Sequence, residues 1–142
     1  MSDFKQFKLD EKLIETLEYS GINKPTPIQE QAIPEILANR DIIGCAQTGT
    51  GKTIAFVLPV VHKILQNNDR KGTNTLIVVP TRELALQIDQ TISGLTYFID
   101  VSCQAVYGGN EAAAFDRQKT ALQNNADIII ATPGRFITHL GL

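Results

Sequence analysis

Four short apolar runs alternate with helix-like segments along this chain, and this alternation limits what the chain can fold into. The runs are rich in Ile, Val and Leu, and each is closed by a turn that contains Gly, Pro or Thr. They span residues 41–45, 75–79, 101–106 and 127–131. Continuous apolar strands separated by helices are typical of a parallel sheet with helices on both faces. The sequence therefore predicts a single α/β domain over residues 1–142, without an internal repeat or a linker.

Helix start and stop signals frame the segments between the apolar runs. Asp10 is placed to cap a helix whose apolar residues share one face, and Gly21 is placed to end it. Thr26 is placed to cap a second helix with Pro27 at its first position, where proline is favoured. The remaining helices are predicted from residue 54, over residues 82–97 and from about Glu111 to Leu122.

The first apolar run leads into a phosphate-binding pattern, a small residue followed by four positions and then Gly-Lys-Thr. Gly49 and Gly51 allow a tight turn that points N–H groups at phosphate oxygens, and the next helix adds its positive end. Lys52 is expected to reach the β- and γ-phosphates, and the Thr53 hydroxyl to hold Mg²⁺. The alternative is a Gly-rich turn that only starts a helix, and the predicted strand before it favours the phosphate site. The predicted loop comprises Ala46, Gln47, Thr48, Gly49, Thr50, Gly51, Lys52 and Thr53.

Charge and composition exclude several classes of protein. The formal net charge is −2, so contact with nucleic acid is expected to be local rather than spread over the whole surface. No apolar run approaches the length of a membrane helix, and residues 1–5 do not open a signal peptide. Cys45 and Cys103 fall in predicted strands, which indicates buried thiols in a reducing, cytoplasmic compartment. Ordinary solvated or helical roles are predicted for Arg70 and Lys71, in a polar loop, and for His62 and His139.

The later three strands end in turns of unusual chemistry, which are Pro80-Thr81-Arg82-Glu83, Gly108-Gly109 and Thr132-Pro133-Gly134-Arg135. Carboxyl ends of parallel strands meet at one edge, where α/β sheets bind ligands, so all four loops are predicted to share that edge. A hydroxyl, an arginine and a helix N-terminus suit contact with phosphate and sugar. The alternative is a helix-starting turn, with Arg82 in an ion pair with Glu83 or Asp89.

Gln29 supports two interpretations that the residues alone leave open. Its amide offers one donor and one acceptor, which suits the N6/N7 edge of adenine. Thr26 and Gln29 also have the spacing of a capping box, in which Gln29 folds back to the Thr26 amide.

Five motifs occur together in one order, at residues 21–29, 46–53, 80–85, 108–109 and 132–135. In this respect the chain resembles the N-terminal half of the DEAD-box RNA helicase core over essentially its whole length. The first motif is similar to that family's Q motif, the second to its P-loop in the form that begins with Ala, and the last three to its RNA-contacting motifs. The resemblance implies a partial RecA-like P-loop domain over 1–142, with the Q-motif region at 4–30.

The resemblance also implies the activity of the intact protein, an ATP-dependent RNA helicase with ATP and Mg²⁺ as cofactors, RNA as substrate and a second RecA-like domain as partner. Gln29 would pair with adenine and Phe4 would offer a ring face to the base, although ordinary packing of Phe4, with Phe7 as a competitor, is the alternative. Lys24 belongs to the nucleotide-binding set, and Lys52 and Thr53 would take catalytic roles. The implied RNA-contacting residues are Pro80, Thr81, Arg82, Glu83, Gly108, Gly109, Thr132, Pro133, Gly134 and Arg135.

The family's Asp-Glu-Ala-Asp motif, with its magnesium-holding aspartate and water-activating glutamate, is expected beyond Leu142. The Ser-Ala-Thr motif and the second domain with its arginine fingers are expected there as well. The expectation is therefore a fragment whose domain is incomplete at its C-terminal end and whose sheet has an unpaired edge. Such a fragment is expected to bind nucleotide without hydrolysing it, because phosphoryl transfer needs several positioned groups.

Overall fold

The computed structural model describes residues 3–109 and 112–141. Glu111, the predicted first residue of the helix that ends at Leu122, lies outside these ranges. No helix within the two ranges is long and apolar enough to span a bilayer. In chain order the elements are a 3₁₀ helix (Phe4–Phe7), α1 (Glu11–Tyr19), α2 (Pro27–Leu37), α3 (Lys52–Gln66), β1 (Thr75–Val78), α4 (Arg82–Leu95), β2 (Cys103–Val106), α5 (Ala112–Gln123), β3 (Ile128–Ala131) and α6 (Pro133–Leu140).

The described residues divide into two compact units. The first, called the helical unit, contains residues 3–68 and 95–100, and the second, called the sheet unit, contains residues 69–94, 101–109 and 112–141. The phosphate-binding pattern lies in the helical unit, whereas the three later turns lie in the sheet unit. Whether the whole chain acts as one domain stays a prediction.

The sheet unit contains a parallel three-stranded sheet with the strand order β1-β3-β2. All four residues of β3 are buried. Because alternate residues of a strand point to opposite faces, both faces of the sheet are covered at this central strand. Edge strand β1 is different, since Leu76 and Val78 are 47% and 60% exposed. The predicted α/β class with a parallel sheet is confirmed, and the sheet is open rather than closed, as in an incomplete RecA-like domain.

Helices α5 and α6 pack on one side of this sheet. Leu122 of α5 and Phe136 of α6 contact a buried cluster that includes Val106, Ile129 and Ala131. Ile129 and Ala131 are two residues apart on β3, so they share one face of the strand. Burial of this apolar surface anchors the turns that precede both helices.

Asp127 ties the amino ends of the strands together. Its main-chain oxygen accepts the N–H groups of Asn74 and Thr75 at 2.9 and 3.0 Å. Its carboxylate accepts the Ser102 N–H at 3.0 Å and lies 3.4 Å from Nη1 of Arg70. The prediction that Arg70 is merely solvated is therefore wrong, because the arginine lies in a long-range ion pair that the polar composition of its loop does not reveal.

The helix signals in the helical unit act as predicted. The Asp10 carboxylate accepts the Lys12 N–H at 3.0 Å and caps α1. Gly21 follows the helix with φ of 73°, a left-handed conformation that glycine adopts readily. Thr26 is the N-cap of α2 and Pro27 its first residue. Helix α2 packs against α3, and the buried apolar residues of the unit include Leu13, Leu17, Ile33, Val57, Leu58 and Val61.

The predicted strand at residues 41–45 is wrong. Residues 40–47, all of which are described, belong to no helix or strand. Ile43 is 96% exposed, and Cys45 is exposed as well, so the prediction of a buried Cys45 thiol is also wrong. An apolar run becomes a strand only where a neighbouring strand supplies partners for its N–H and C=O groups. Among the described residues, the sheet provides such a neighbouring strand only for β1, β2 and β3.

Cys103 lies in a strand, as predicted, and is partly buried. Burial raises the pKa of its thiol, and the nearby Asp89 carboxylate raises it further. Burial also raises the pKa of Asp89. Because the thiolate is the reactive form of cysteine, the protonated Cys103 thiol is expected to be inert at neutral pH.

Candidate functional site

The phosphate-binding loop has the backbone conformation that its glycines predict. Gly49 and Gly51 have φ values of 80° and 84°, in the left-handed region that residues with a side chain adopt only at a cost. Gly51 is the N-cap of α3. The first N–H groups of a helix have no partner within the helix, and they carry part of its positive end. An exposed loop of this shape before α3 is therefore suited to bind a phosphate group.

Lys52 and Thr53 occupy the first turn of α3. The exposed Lys52 donates from Nζ to the Ala46 carbonyl, and Thr50 Oγ1 donates to the Gln47 carbonyl at 2.6 Å. On binding nucleotide, Nζ would exchange a carbonyl oxygen for a charged phosphate oxygen, which forms a stronger hydrogen bond. The Thr53 hydroxyl is an oxygen ligand of the kind that Mg²⁺ prefers, and it would hold the ion. These residues fit both ATP and its magnesium ion.

Gln29 joins the start of α2 to this loop. Its side chain is 2% exposed. Oε1 accepts the Thr26 N–H at 2.9 Å, and Nε2 donates to the Gly51 carbonyl at 3.1 Å. The capping-box contact of Gln29 with the Thr26 amide is thus present. The donor and the acceptor ends of the amide each have one protein partner and each keep capacity for a second, and the adenine role stays a prediction.

Phe4 and Lys24 are the other predicted nucleotide contacts. The Phe4 ring is 2% exposed and meets Phe7 edge-on, with ring centroids 6.2 Å apart. Its faces are covered by protein, as the packing alternative describes, and stacking on a base stays a prediction. Lys24 is exposed in the connection between α1 and α2.

In the sheet unit, three of the predicted turns meet at the carboxyl edge of the sheet. The Thr132 N–H donates to the Val106 carbonyl, and the Val79 N–H donates to the Ala131 carbonyl, both at 3.0 Å. Thr81 Oγ1 accepts the Leu84 N–H at 3.2 Å, at the start of α4. The prediction of a common edge is confirmed for these three turns, whereas a place for the phosphate-binding loop at that edge stays a prediction. The prediction that a sheet strand leads into the phosphate-binding loop is wrong, because residues 41–45 form none.

Two arginines of these turns approach the same glycine. Arg135 donates from Nη2 to the Gly109 carbonyl at 3.0 Å. The Arg82 guanidinium lies over the Tyr107 ring, 4.9 Å from its centroid, and a Cβ built on Gly109 would lie 3.4 Å from Arg82 Nη1. Arg82 thus contacts the Tyr107 ring, whereas the alternative from the sequence was an ion pair with Glu83 or Asp89. Two guanidinium groups at one backbone position favour an anionic ligand.

Three residues behind this edge are ones that sequence analysis missed. Phe115 and His139 stack with ring centroids 4.3 Å apart and planes at 20°. The Arg135 guanidinium also lies over the Phe115 ring, 5.1 Å from its centroid. Gln118 donates from Nε2 to the Tyr107 carbonyl at 3.2 Å. A signal was available, because Gln118 stands three positions after Phe115 and four before Leu122, a polar residue in an apolar stripe.

The two histidines have structural partners. His62 Nδ1 accepts the Asp10 N–H at 3.0 Å, and burial lowers the pKa of His62. His139 is a helix residue, as predicted, but it is buried rather than on the surface. Burial lowers the pKa of His139, and the positive charges of Arg135 and Lys119 lower it further.

The fold and the loop together define the class, an incomplete RecA-like α/β domain with a P-loop. A family model described as DEAD/DEAH box helicase matches residues 26–141. The chain therefore belongs to the DEAD/DEAH box helicase family.

Named relatives agree with this assignment. The chain is 45% identical to the ATP-dependent RNA helicase CshA of Listeria monocytogenes, over 99% of the chain and 26% of that protein. It is 44% identical to the ATP-dependent rRNA helicase RRP3 of Pyricularia oryzae, over 96% of the chain and 24% of that protein. It is 39% identical to the ATP-dependent RNA helicase DBP10 of Meyerozyma guilliermondii, over 94% of the chain and 14% of that protein. The chain thus spans about a quarter of the length of these relatives, or less.

Proposed function

We propose that the chain is the first core domain of an ATP-dependent RNA helicase, which binds ATP with Mg²⁺ and the backbone of single-stranded RNA. A second RecA-like domain would complete the nucleotide and RNA sites in the intact protein. Family membership supports this proposal, as do the names of the relatives. The cytoplasm is the compartment that we propose for the protein.

One observation extends the proposal beyond family membership, namely the convergence of three turns at the carboxyl edge of the sheet. Parallel pairing of β1, β2 and β3 brings the turns together, and Arg82 and Arg135 both approach Gly109 there. Arginines, hydroxyls and backbone N–H groups at helix starts are the groups that supply most contacts with phosphate and sugar. Binding is therefore expected to depend steeply on salt and weakly on sequence.

Nucleotide binding would rest on the loop before α3. The backbone N–H groups of the loop and Lys52 would hold the phosphates, and Thr53 would hold Mg²⁺. Bound Mg²⁺ supplies charge neutralisation at the β- and γ-phosphates. Hydrolysis also requires a group that positions water and cationic groups that stabilise the transition state. We propose that the chain alone binds nucleotide without hydrolysing it.

Charge reversal at Arg135 tests the RNA interface. Arg135→Glu is expected to weaken binding of oligouridine by roughly tenfold or more, because it removes one charge-assisted phosphate contact and adds repulsion. The slope of log affinity against log salt should fall by about 1. Nuclear magnetic resonance titration of the chain with oligouridine and oligoadenosine would measure both quantities, even for weak binding.

Lys71→Glu is the matched control for this experiment. It makes the same change of net charge on an exposed side chain in the loop before β1, away from the carboxyl edge of the sheet. If Lys71→Glu weakens RNA binding as much as Arg135→Glu does, only net charge matters and the proposed interface is wrong. Tight, salt-insensitive binding of one sequence would likewise contradict backbone recognition.

Substitution of Gln29 tests the adenine role. Gln29→Ala is expected to reduce the preference for ADP over GDP, because guanine presents an acceptor where adenine presents a donor. The variant should also unfold more easily by roughly 1–3 kcal/mol, since the Gly51 carbonyl and the Thr26 N–H lose their partner. Calorimetric titration with both nucleotides would measure selectivity. A less stable variant with unchanged selectivity would leave Gln29 with a capping role only.

A further inference from the structure

Arg135 is held from the side of α5 and α6 by residues outside the three turns. Its guanidinium lies over the Phe115 ring, and Phe115 stacks on His139. A guanidinium over an aromatic face is attracted by the ring, and the Phe115 ring is itself held by its stack on His139. The Arg135 guanidinium is therefore held at a defined position before any ligand binds.

Gln118 fixes the second of the three turns. It is 3% exposed, and its Nε2 donates to the carbonyl of Tyr107, the residue directly before Gly108-Gly109. A purely space-filling role would favour an apolar side chain here, because burying an amide is costly unless its hydrogen bonds are made. The two ends of this amide are both used, one on the turn and one on His139.

The hydrogen bonds also assign the proton on His139. Because Nε2 of Gln118 donates to a carbonyl, its Oε1 faces His139 Nε2 at 3.2 Å, and Oε1 can only accept. His139 Nε2 therefore carries the proton. Its Nδ1 is buried with no hydrogen-bond partner among the described residues, and a second proton there would also meet the positive charges of Arg135 and Lys119. His139 is thus a neutral link between Gln118 and Phe115.

We propose that Phe115, Gln118 and His139, called here the positioning triad, preset Arg135 and the turn at 107–109 for contact with RNA phosphates. This inference rests on the proposed function, in which Arg135 binds RNA. The triad does not touch RNA itself. It acts through Arg135 on one side and through the Tyr107 carbonyl on the other, so its removal lowers RNA affinity without removing a charge.

The test is a pair of Gln→Leu substitutions on one helix. Gln118→Leu keeps the volume of the side chain but removes both hydrogen bonds, and it is expected to raise the dissociation constant for a fluorescent oligouridine roughly threefold to tenfold. Gln123→Leu, at the exposed end of α5, is expected to leave the constant unchanged. Phe115→Leu should raise the dissociation constant as much as Gln118→Leu does. Phe115→Tyr should leave it unchanged, because tyrosine keeps the ring face. The Phe115 pair decides the question if Gln118→Leu does not fold.

A double-mutant cycle separates positioning from general stability. In an Arg135→Gln background, Phe115→Leu should have no further effect on the dissociation constant, because the arginine that the ring positions is gone. Gln118→Leu should keep only the part of its effect that acts through the Tyr107 carbonyl. Equal effects in both backgrounds would show a structural role only and overturn the proposal. If Arg135→Gln weakens binding and the triad variants do not, the triad is wrong while the RNA interface stands. If Arg135→Gln itself has no effect, the proposed function fails, and the triad with it.

Discussion

Replacement of Lys52 with alanine is expected to lower the affinity for ADP roughly ten- to a hundredfold, because a charge-assisted contact with phosphate contributes about 1.5–3 kcal/mol. Nζ already lies at the loop, where it donates to the Ala46 carbonyl. Exchange of that carbonyl for a phosphate oxygen needs only movement of an exposed side chain. Calorimetric titration of the chain with ADP and Mg²⁺ would measure the loss.

Lys63→Ala provides the control for this prediction. Lys63 lies on the same helix, and its Nζ donates to Asn39 Oδ1 rather than to the loop. The variant makes the same change of residue and net charge, so its affinity for ADP should equal that of the unaltered chain. Unchanged affinity in Lys52→Ala, or an equal loss in both variants, would show that the loop before α3 does not hold the phosphates.

The substitution Gly51→Ala is expected to lower the free energy of unfolding by about 3 kcal/mol. Part of the loss is the left-handed backbone, which costs a residue with a Cβ roughly 1–2 kcal/mol. The rest comes from contact with Gln29, because a Cβ at position 51 would lie 2.3 Å from its Nε2. Gln29 must then move and leave buried polar groups without a partner, at about 1–3 kcal/mol.

Gly49→Ala isolates the backbone part of this effect. Gly49 has a similar φ of 80°, and a Cβ there would meet no atom within 4 Å among the described residues. Its cost should therefore be limited to roughly 1–2 kcal/mol. In a Gln29→Ala background the collision is relieved, and Gly51→Ala should then cost no more than Gly49→Ala. Chemical denaturation would measure all of these variants, and equal losses for the two glycines in the unaltered chain would refute the Gln29 contact.

Local signals in the sequence predict much of this structure. The capping carboxylate of Asp10, the glycine at 21 and the Thr26-Pro27 pair act within a single helical turn, so their meaning does not depend on the rest of the chain. The same is true of Gly49 and Gly51, whose conformations follow from the tight turn that the loop must make. The three turns that follow β1, β2 and β3 were predictable in position because parallel strands place their carboxyl ends at one edge.

The failures involve groups that are distant in sequence. The run at 41–45 has strand-like composition, but strand formation depends on a partner edge, which composition does not report. The pairing of Arg70 with Asp127 joins positions on either side of two strands and two helices. Gln118 was visible only as a polar residue in an apolar stripe, and its partners Tyr107 and His139 became known from the fold.

The strand order has a consequence for synthesis on the ribosome. The central strand β3 is the last of the three in sequence, and β1 and β2 pair with it rather than with each other. Each of the two earlier strands must therefore wait, after translation, for residues 128–131 to emerge, which takes roughly seconds at 5–20 residues per second. During this interval the apolar side chains of β1 and β2 are available to chaperones or to other nascent chains. The turns that would bind RNA reach their common edge only when β3 is inserted, so the nascent chain acquires this edge late and in a single step.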